Sequence, residues 1–126
     1  MTPRTKFGAV SISKSRILIF GGKQKDGQRT NEIEEFNLKT NKFKVLPFTM
    51  PKAKSGFSVC VKKDEGKIFF CGGNSGSVLK KFDCLDLKKG KWLKMPEMIQ
   101  KRDELAIALG PDGCIYAIGG YGGSSQ

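Results

Sequence analysis

Apolar residues in this chain come in short runs, and three of the runs are closed by a pair of glycines. Arg16-Ile17-Leu18-Ile19-Phe20 leads into Gly21-Gly22, Lys67-Ile68-Phe69-Phe70-Cys71 into Gly72-Gly73, and Cys114-Ile115-Tyr116-Ala117-Ile118 into Gly119-Gly120. The first glycines of the pairs lie 51 and 47 residues apart. A self-similarity of about fifty residues is the mark of a repeat architecture. Each run is too short for a comfortable helix and rich in β-branched and aromatic residues. Each therefore predicts a strand buried on both faces, followed by a turn that needs positive φ.

The same four-part pattern surrounds each glycine pair. In the first repeat, strands are predicted over residues 7–12, 16–20, 32–38 and 42–46, with Asp26-Gly27 at the tip of a polar loop spanning residues 23–31. The last of these alternates apolar and polar strictly, as a strand exposed on one face does. In the second repeat the strands fall at 56–61, 67–71, 79–87 and 91–95. The outer hairpins align: Phe36 with Leu85, Asn37 with Asp86, Leu38 with Leu87, Phe43 with Trp92, Pro47 with Pro96. The third repeat has only its first two strands, 105–109 and 114–118, joined by Pro111-Asp112-Gly113.

Four strands per unit, a double glycine after the second and an aromatic in the fourth resemble the kelch repeat of β-propellers. The residues that carry the resemblance are Gly21-Gly22, Phe36-Asn37 and Phe43, then Gly72-Gly73, Asp86 and Trp92, then Arg102 and Gly119-Gly120. Phe43 stands where the usual residue is Trp, and Leu85 where it is aromatic. The resemblance implies an all-β fold: an arc of four-stranded antiparallel blades, with blades over residues 1–49 and 50–97 and a partial blade over 98–126. Phe43 and Trp92 are expected to fill the space between blades. A propeller closes with four to eight blades, so two and a half make an incomplete ring. Met50 precedes Lys54 by four residues, Met98 precedes Arg102 by four and Met1 precedes Arg4 by three, so the N-terminus reads like the tail of a preceding blade joint. The expected complement is the remaining blades or another subunit that closes the ring.

Composition narrows the function. The chain has 126 residues, and 23 Lys and Arg against 12 Asp and Glu give a net charge of +11. Such an excess favours an acidic neighbour, whether protein, nucleic acid or an acidic filament, although a dispersed, solvated lysine exterior accounts for it as well. No apolar run approaches twenty residues, so no membrane partner is expected. The N-terminus leads into no signal-type apolar core, and Cys60, Cys71, Cys84 and Cys114 form no C-x-x-C pair. They are expected to be unbridged and metal-free, in a cytoplasmic setting with nuclear or cytoskeletal alternatives.

The sequence contains no histidine. That removes Ser-His-Asp and Cys-His nucleophile systems and the histidine-dependent copper enzymes among kelch proteins. Glu32, Glu34 and Glu35 form the densest acidic cluster and are expected to be a solvated strand face. The glycine cluster 119–123 lacks the Gly-Lys-Ser/Thr of a phosphate loop. No catalytic, metal or cofactor residue is predicted. What remains is binding. By the resemblance, loops at one mouth of the channel carry the partner, and Thr5, Lys6, Ser55, Gly56, Asp103 and Glu104 fall there. The loops after the glycine pairs add Lys23, Lys25, Arg29, Asn31, Asn74 and Tyr121. Three classes of function stay open: a protein-interaction scaffold, a basic module docking on RNA or an acidic filament, and a substrate-recognition arm of a ubiquitin ligase. The last needs a BTB-type domain that these residues do not contain.

Overall fold

The computed structural model describes residues 3–122. Met1 of the joint pattern and Gly123 of the glycine cluster lie outside the described residues. Twelve strands run in order: β1 (Arg4–Thr5), β2 (Gly8–Ser11), β3 (Arg16–Phe20), β4 (Lys23–Gln24), β5 (Glu32–Asn37), β6 (Lys42–Thr49), β7 (Ser58–Lys62), β8 (Lys67–Cys71), β9 (Phe82–Asp86), β10 (Lys91–Lys94), β11 (Ala106–Leu109) and β12 (Ile115–Ile118). No helix among the described residues is long and apolar enough to cross a membrane. Two strands depart from expectation. β6 runs on through Pro47 to Thr49, which an edge strand tolerates because one side of its ladder is unpaired. β9 starts three residues later than its apolar run, because the amide of Leu79 is turned back onto the carbonyl of Gly73. The two-residue strands β1 and β4 were too short to leave a pattern.

Two four-stranded antiparallel sheets form, β2-β3-β5-β6 and β7-β8-β9-β10, and β11-β12 makes a third sheet of two strands. The two complete sheets share one register. Glu34 lies opposite Ile19 in the first, and Asp83 opposite Phe70 in the second. The first strands β2, β7 and β11 contact one another in turn, so the sheets fan outward from a common inner edge and form an open arc of a propeller. Between the first two sheets lies the main core. Val10, Leu18, Phe20 and Ile33 from one pack against Phe57, Ile68, Phe70 and Leu85 from the other. Phe20 meets Phe70 edge-on at 4.9 Å, and Trp92 closes the outer side of this layer at 5.1 Å from Phe70. Each such side chain stabilises the fold by about 1.5–3 kcal/mol through burial.

Phe43 corrects the sequence reading. It aligns with Trp92, yet it is 44% exposed and rests on Phe36 at 4.6 Å. The reason is position. β6 turns Phe43 and Val45 onto the face of the first sheet that points away from the second, where Arg4 covers the Glu34 side of the face and leaves Phe43 and Val45 exposed.

Glu34 is a second correction. It is buried, and it accepts a 2.6 Å hydrogen bond from Nη2 of Arg4, whose side chain has no solvent exposure. Glu32 stays at the edge of this pair, 3.4 Å from the same nitrogen. Arg4 also donates Nη1 to the carbonyl of Gly21 at 2.8 Å, which ties the joint to the end of β3. In the next repeat, Lys54 is buried against Asp83 at 3.5 Å and lies over the Phe57 and Phe70 rings. Burial there outweighs the attraction of Asp83 and holds the Lys54 ammonium below its usual pKa. In the third, Arg102 donates Nη1 to the carbonyl of Gly119 at 3.0 Å, as Arg4 does to Gly21.

Three outcomes follow for stability, each measured by urea unfolding. Trp92→Ala costs about 3 kcal/mol, as removal of a large packed aromatic does, while Phe43→Ala costs under about 1 kcal/mol; equal losses would contradict the packing described. Arg4→Ala costs about 3–5 kcal/mol because it strands the buried Glu34 carboxylate, and adding Glu34→Gln recovers part of that loss. The third outcome concerns pH. The folded pKa of Lys54 lies below its unfolded value of 10.5, so the unfolded chain binds this proton more tightly. Stability of the wild type therefore rises relative to Lys54→Met as pH climbs from the depressed value to 10.5. Parallel pH curves would exclude this.

Candidate functional site

At the mouth of the arc, three backbone bridges repeat from sheet to sheet. Thr5 pairs with Lys23, Ser55 with Asn74, and Asp103 with Tyr121, each joining the residue after a joint cation to the residue after a glycine pair. The residues that follow, Lys6, Gly56 and Glu104, all adopt positive φ, at 54°, 69° and 54°. They form a ladder. The amide of Gly56 donates to the carbonyl of Lys6 at 2.9 Å, and the amide of Glu104 donates to the carbonyl of Gly56 at 2.8 Å. For Lys6 and Glu104 this backbone is strained by about 1–2 kcal/mol each, since an L side chain crowds the following carbonyl. The two are brought together for it: Lys6 Nζ meets Glu104 Oε1 at 2.7 Å across Gly56. That hydrogen bond, with the carboxylate charge, raises the pKa of Lys6.

Most of the residues named from sequence meet on this rim. Arg29 bridges back to Lys23 and donates Nε to the hydroxyl of Ser55 at 3.1 Å. Asn74 holds its own loop by accepting from the amide of Gly76, and its side-chain nitrogen sits 3.4 Å from Asp103 Oδ2. Tyr121 is half exposed beside Asp103. Two residues stand apart. Lys25 is exposed on the loop beyond β4, next to Asp26. The carbonyl of Asn31 accepts from the amide of Met50 and so serves the sheet connection rather than the rim.

Sequence reasoning missed two features here. One is the Lys6–Glu104 pair. Its signal was present in Gly56, the aligned residue of the middle repeat, which marks the position as one that demands positive φ. The other is Asp103 Oδ1, a buried acceptor without a hydrogen-bond partner among the described residues, for which no local pattern exists.

Among the described residues no group of three or more carboxylates and thiols is placed to hold a metal ion. Three of the thiols are muted. Burial pushes Cys71 up to about 12 and raises Cys60 and Cys84, so the nucleophilic thiolate is disfavoured at each.

Comparison with known proteins agrees with this construction. The family model described as the KLHDC2/KLHL20/DRC7 Kelch-repeats domain matches residues 1–126. An F-box/kelch-repeat protein of Arabidopsis thaliana is 27% identical over 93% of this chain and 33% of its own length. Kelch-like protein 3 of Mus musculus is 23% identical over 77% of this chain and 17% of its own length, and the Rattus norvegicus protein of that name matches equally. The chain thus spans a third or less of the curated relatives it matches. With sheets of this register, glycine pairs at this period and a family match along its whole length, the chain belongs to the kelch-repeat family of β-propeller proteins.

Proposed function

We propose that this chain is a non-catalytic protein-interaction module, and that its partner binds the rim built by Lys6, Lys23, Arg29, Ser55, Asn74, Glu104 and Tyr121. The observation that carries this reading is the strained ladder through Lys6, Gly56 and Glu104. Backbone strain held in place by repeated bridges is characteristic of binding sites, where rigid scaffolds present loop side chains. The make-up of the rim supports a protein partner. It mixes cations, amides, a hydroxyl, an aromatic ring and one buried acceptor at Asp103, which suits polar side chains better than a uniform polyanion. The lack of histidine supports the non-catalytic part. Lys25 and Asn31 belong to this proposal only as flanking residues. A cytoplasmic setting belongs to it as well.

A second reading has its own support. One relative is by name an F-box/kelch-repeat protein, which favours a role for such an arc as the substrate-recognition arm of a ubiquitin ligase. In that case the same rim receives the substrate. Docking on RNA or an acidic filament rests on the charge of +11 alone.

The test places a photo-crosslinking amino acid at Asn74 and, separately, at Lys91 on the outer strand β10, in cells. Crosslinks to protein partners form from Asn74, and the double charge reversal Lys6→Glu, Arg29→Glu weakens them at least tenfold. Crosslinks only from Lys91 would overturn the rim reading. Binding that collapses between 50 and 200 mM salt would replace it with polyanion docking.

A further inference from the structure

The outer seam between the first two sheets carries a cationic strip that is independent of the rim. Both sheets that form it are complete four-stranded units, and β6 and β10 are their outermost strands. The register places the lysines row by row. Lys44 lies opposite Glu35, and Glu35 opposite Leu18; Lys42 lies opposite Asn37, and Asn37 opposite Arg16. Leu18 belongs to the core between the two sheets, so Lys42 and Lys44 stand on the face that meets the second sheet. On that sheet Lys94 lies opposite Asp83, and Asp83 opposite Phe70, which faces back toward the first. Trp92, two residues before Lys94, closes the floor against Phe70 at 5.1 Å. Three exposed lysines thus flank one seam from both sides.

The acids that could neutralise them are engaged elsewhere. Arg16 holds Glu35 Oε1 through Nε and Nη2, and Lys54 takes Asp83. Asn37, opposite Lys42, is uncharged and accepts from the amides of Lys39 and Thr40. No ion pair among the described residues includes Lys42, Lys44 or Lys94. At the foot of the seam the turns after β5 and β9 add Lys39, Lys88 and Lys89, and Asp86 is spent on the amides of the last two. Residues 38–46 and 87–95 together hold seven lysines, no arginine and no acid. Lysine on an edge strand also discourages pairing with another chain. That role asks for charge along each edge. It does not ask the lysines of two edges to face one seam with every nearby acid withdrawn.

We propose that this seam binds the phosphate backbone of a nucleic acid strand, without reading its sequence. Lysine is a compact, strongly hydrated charge with no fixed fork, which suits successive phosphates. Protein interfaces are depleted in lysine and anchored by aromatic and arginine side chains. The seam offers neither anchor, since Trp92 is packed on Phe70 and Arg16 is committed to Glu35. An anionic membrane is a poorer occupant too. The strip climbs the outer wall of an arc instead of lying in a plane, and Asp64 and Glu65 stand exposed on the β7–β8 turn at the same end as the lysine turns.

The probe is a fluorescein-labelled RNA of about 20 nucleotides, titrated into the full 126-residue chain by anisotropy between about 50 and 200 mM salt. Saturable binding is expected at the low end. The triple variant Lys42→Gln, Lys44→Gln, Lys94→Gln weakens it about tenfold. It also flattens the slope of log affinity on log salt by about 2, because each phosphate contact on a single strand contributes about 0.7. A second RNA of different sequence binds equally. A control of equal charge, Lys52→Gln, Lys80→Gln, Lys101→Gln on the exposed connections before β7, β9 and β11, loses less than about twofold. RNA carrying 4-thiouridine crosslinks to β6 and β10 of the unaltered chain, so the test holds even if a variant fails to fold. Four outcomes would each overturn the proposal: no saturable binding, equal losses in the two triple variants, tighter binding of polyglutamate or phosphatidylserine vesicles than of RNA, or crosslinks confined to residues 23–31. Loss of RNA binding with protein crosslinks from Asn74 intact leaves the interaction-module reading standing.

Discussion

Everything in this arc depends on how the second strand of each sheet ends against the joint of the next. The amide of Gly22 donates to the carbonyl of Lys54 at 2.9 Å, and the amide of Gly73 to the carbonyl of Arg102 at 2.7 Å. Such contacts need the backbone to turn at positive φ with no side chain in the way, since a Cβ on Gly21 would strike both Met50 and the Lys54 carbonyl. This contact sets the angle between sheets, and the angle decides which faces meet. The Phe20–Phe70 contact and the seat of Trp92 are consequences of it.

The buried ion pairs do a different job. A paired charge in the interior contributes little net stability, because desolvating it costs about as much as the pairing returns. It does penalise every wrong arrangement. If β5 slipped so that Ile33 took the place of Glu34, Arg4 would face an apolar side chain and its buried charge would be stranded. The chain uses the device in both complete sheets, with Arg–Glu in one and Lys–Asp in the other, so geometry rather than residue identity is what repeats. Lys54 sits in an aromatic setting over Phe57 and Phe70, and burial there lowers its pKa.

Local pattern made most of the fold legible. Glycine pairs at a fixed period, strict alternation in β6 and the aligned outer hairpins are all short-range signals, and each corresponds to a strand or a turn. Phe43 and Glu34 were misjudged for one shared reason. Their environment is decided by which sheet lies beside them, and a linear pattern does not carry that. Phe43 looks like Trp92 in sequence and is half exposed because its end of the sheet face has no neighbouring sheet among the described residues. Glu34 looks like a surface acid among acids and is buried because Arg4, thirty residues away, is aimed at it. The rim was legible in position but not in chemistry: aligned repeats located Lys6, Ser55 and Glu104, while the pairing of Lys6 with Glu104 and the orphaned oxygen of Asp103 arise only from the fold.

That division between position and chemistry follows from how the rim is held. Its bridges and its ladder use main-chain groups alone, and main-chain groups are the same in every residue. Thr5, Ser55 and Asp103 occupy one structural position, as do Lys6, Gly56 and Glu104, and as do Lys23, Asn74 and Tyr121. No two residues in any of these sets are alike. A frame that asks nothing of its side chains leaves them free to be chosen for whatever they touch. The cost falls only where φ is positive, and there the chain accepts strain at Lys6 and Glu104 in preference to glycine. A position that tolerates glycine but holds two oppositely charged residues in strained backbone supports the proposal that side chains on the rim are chosen for what they bind.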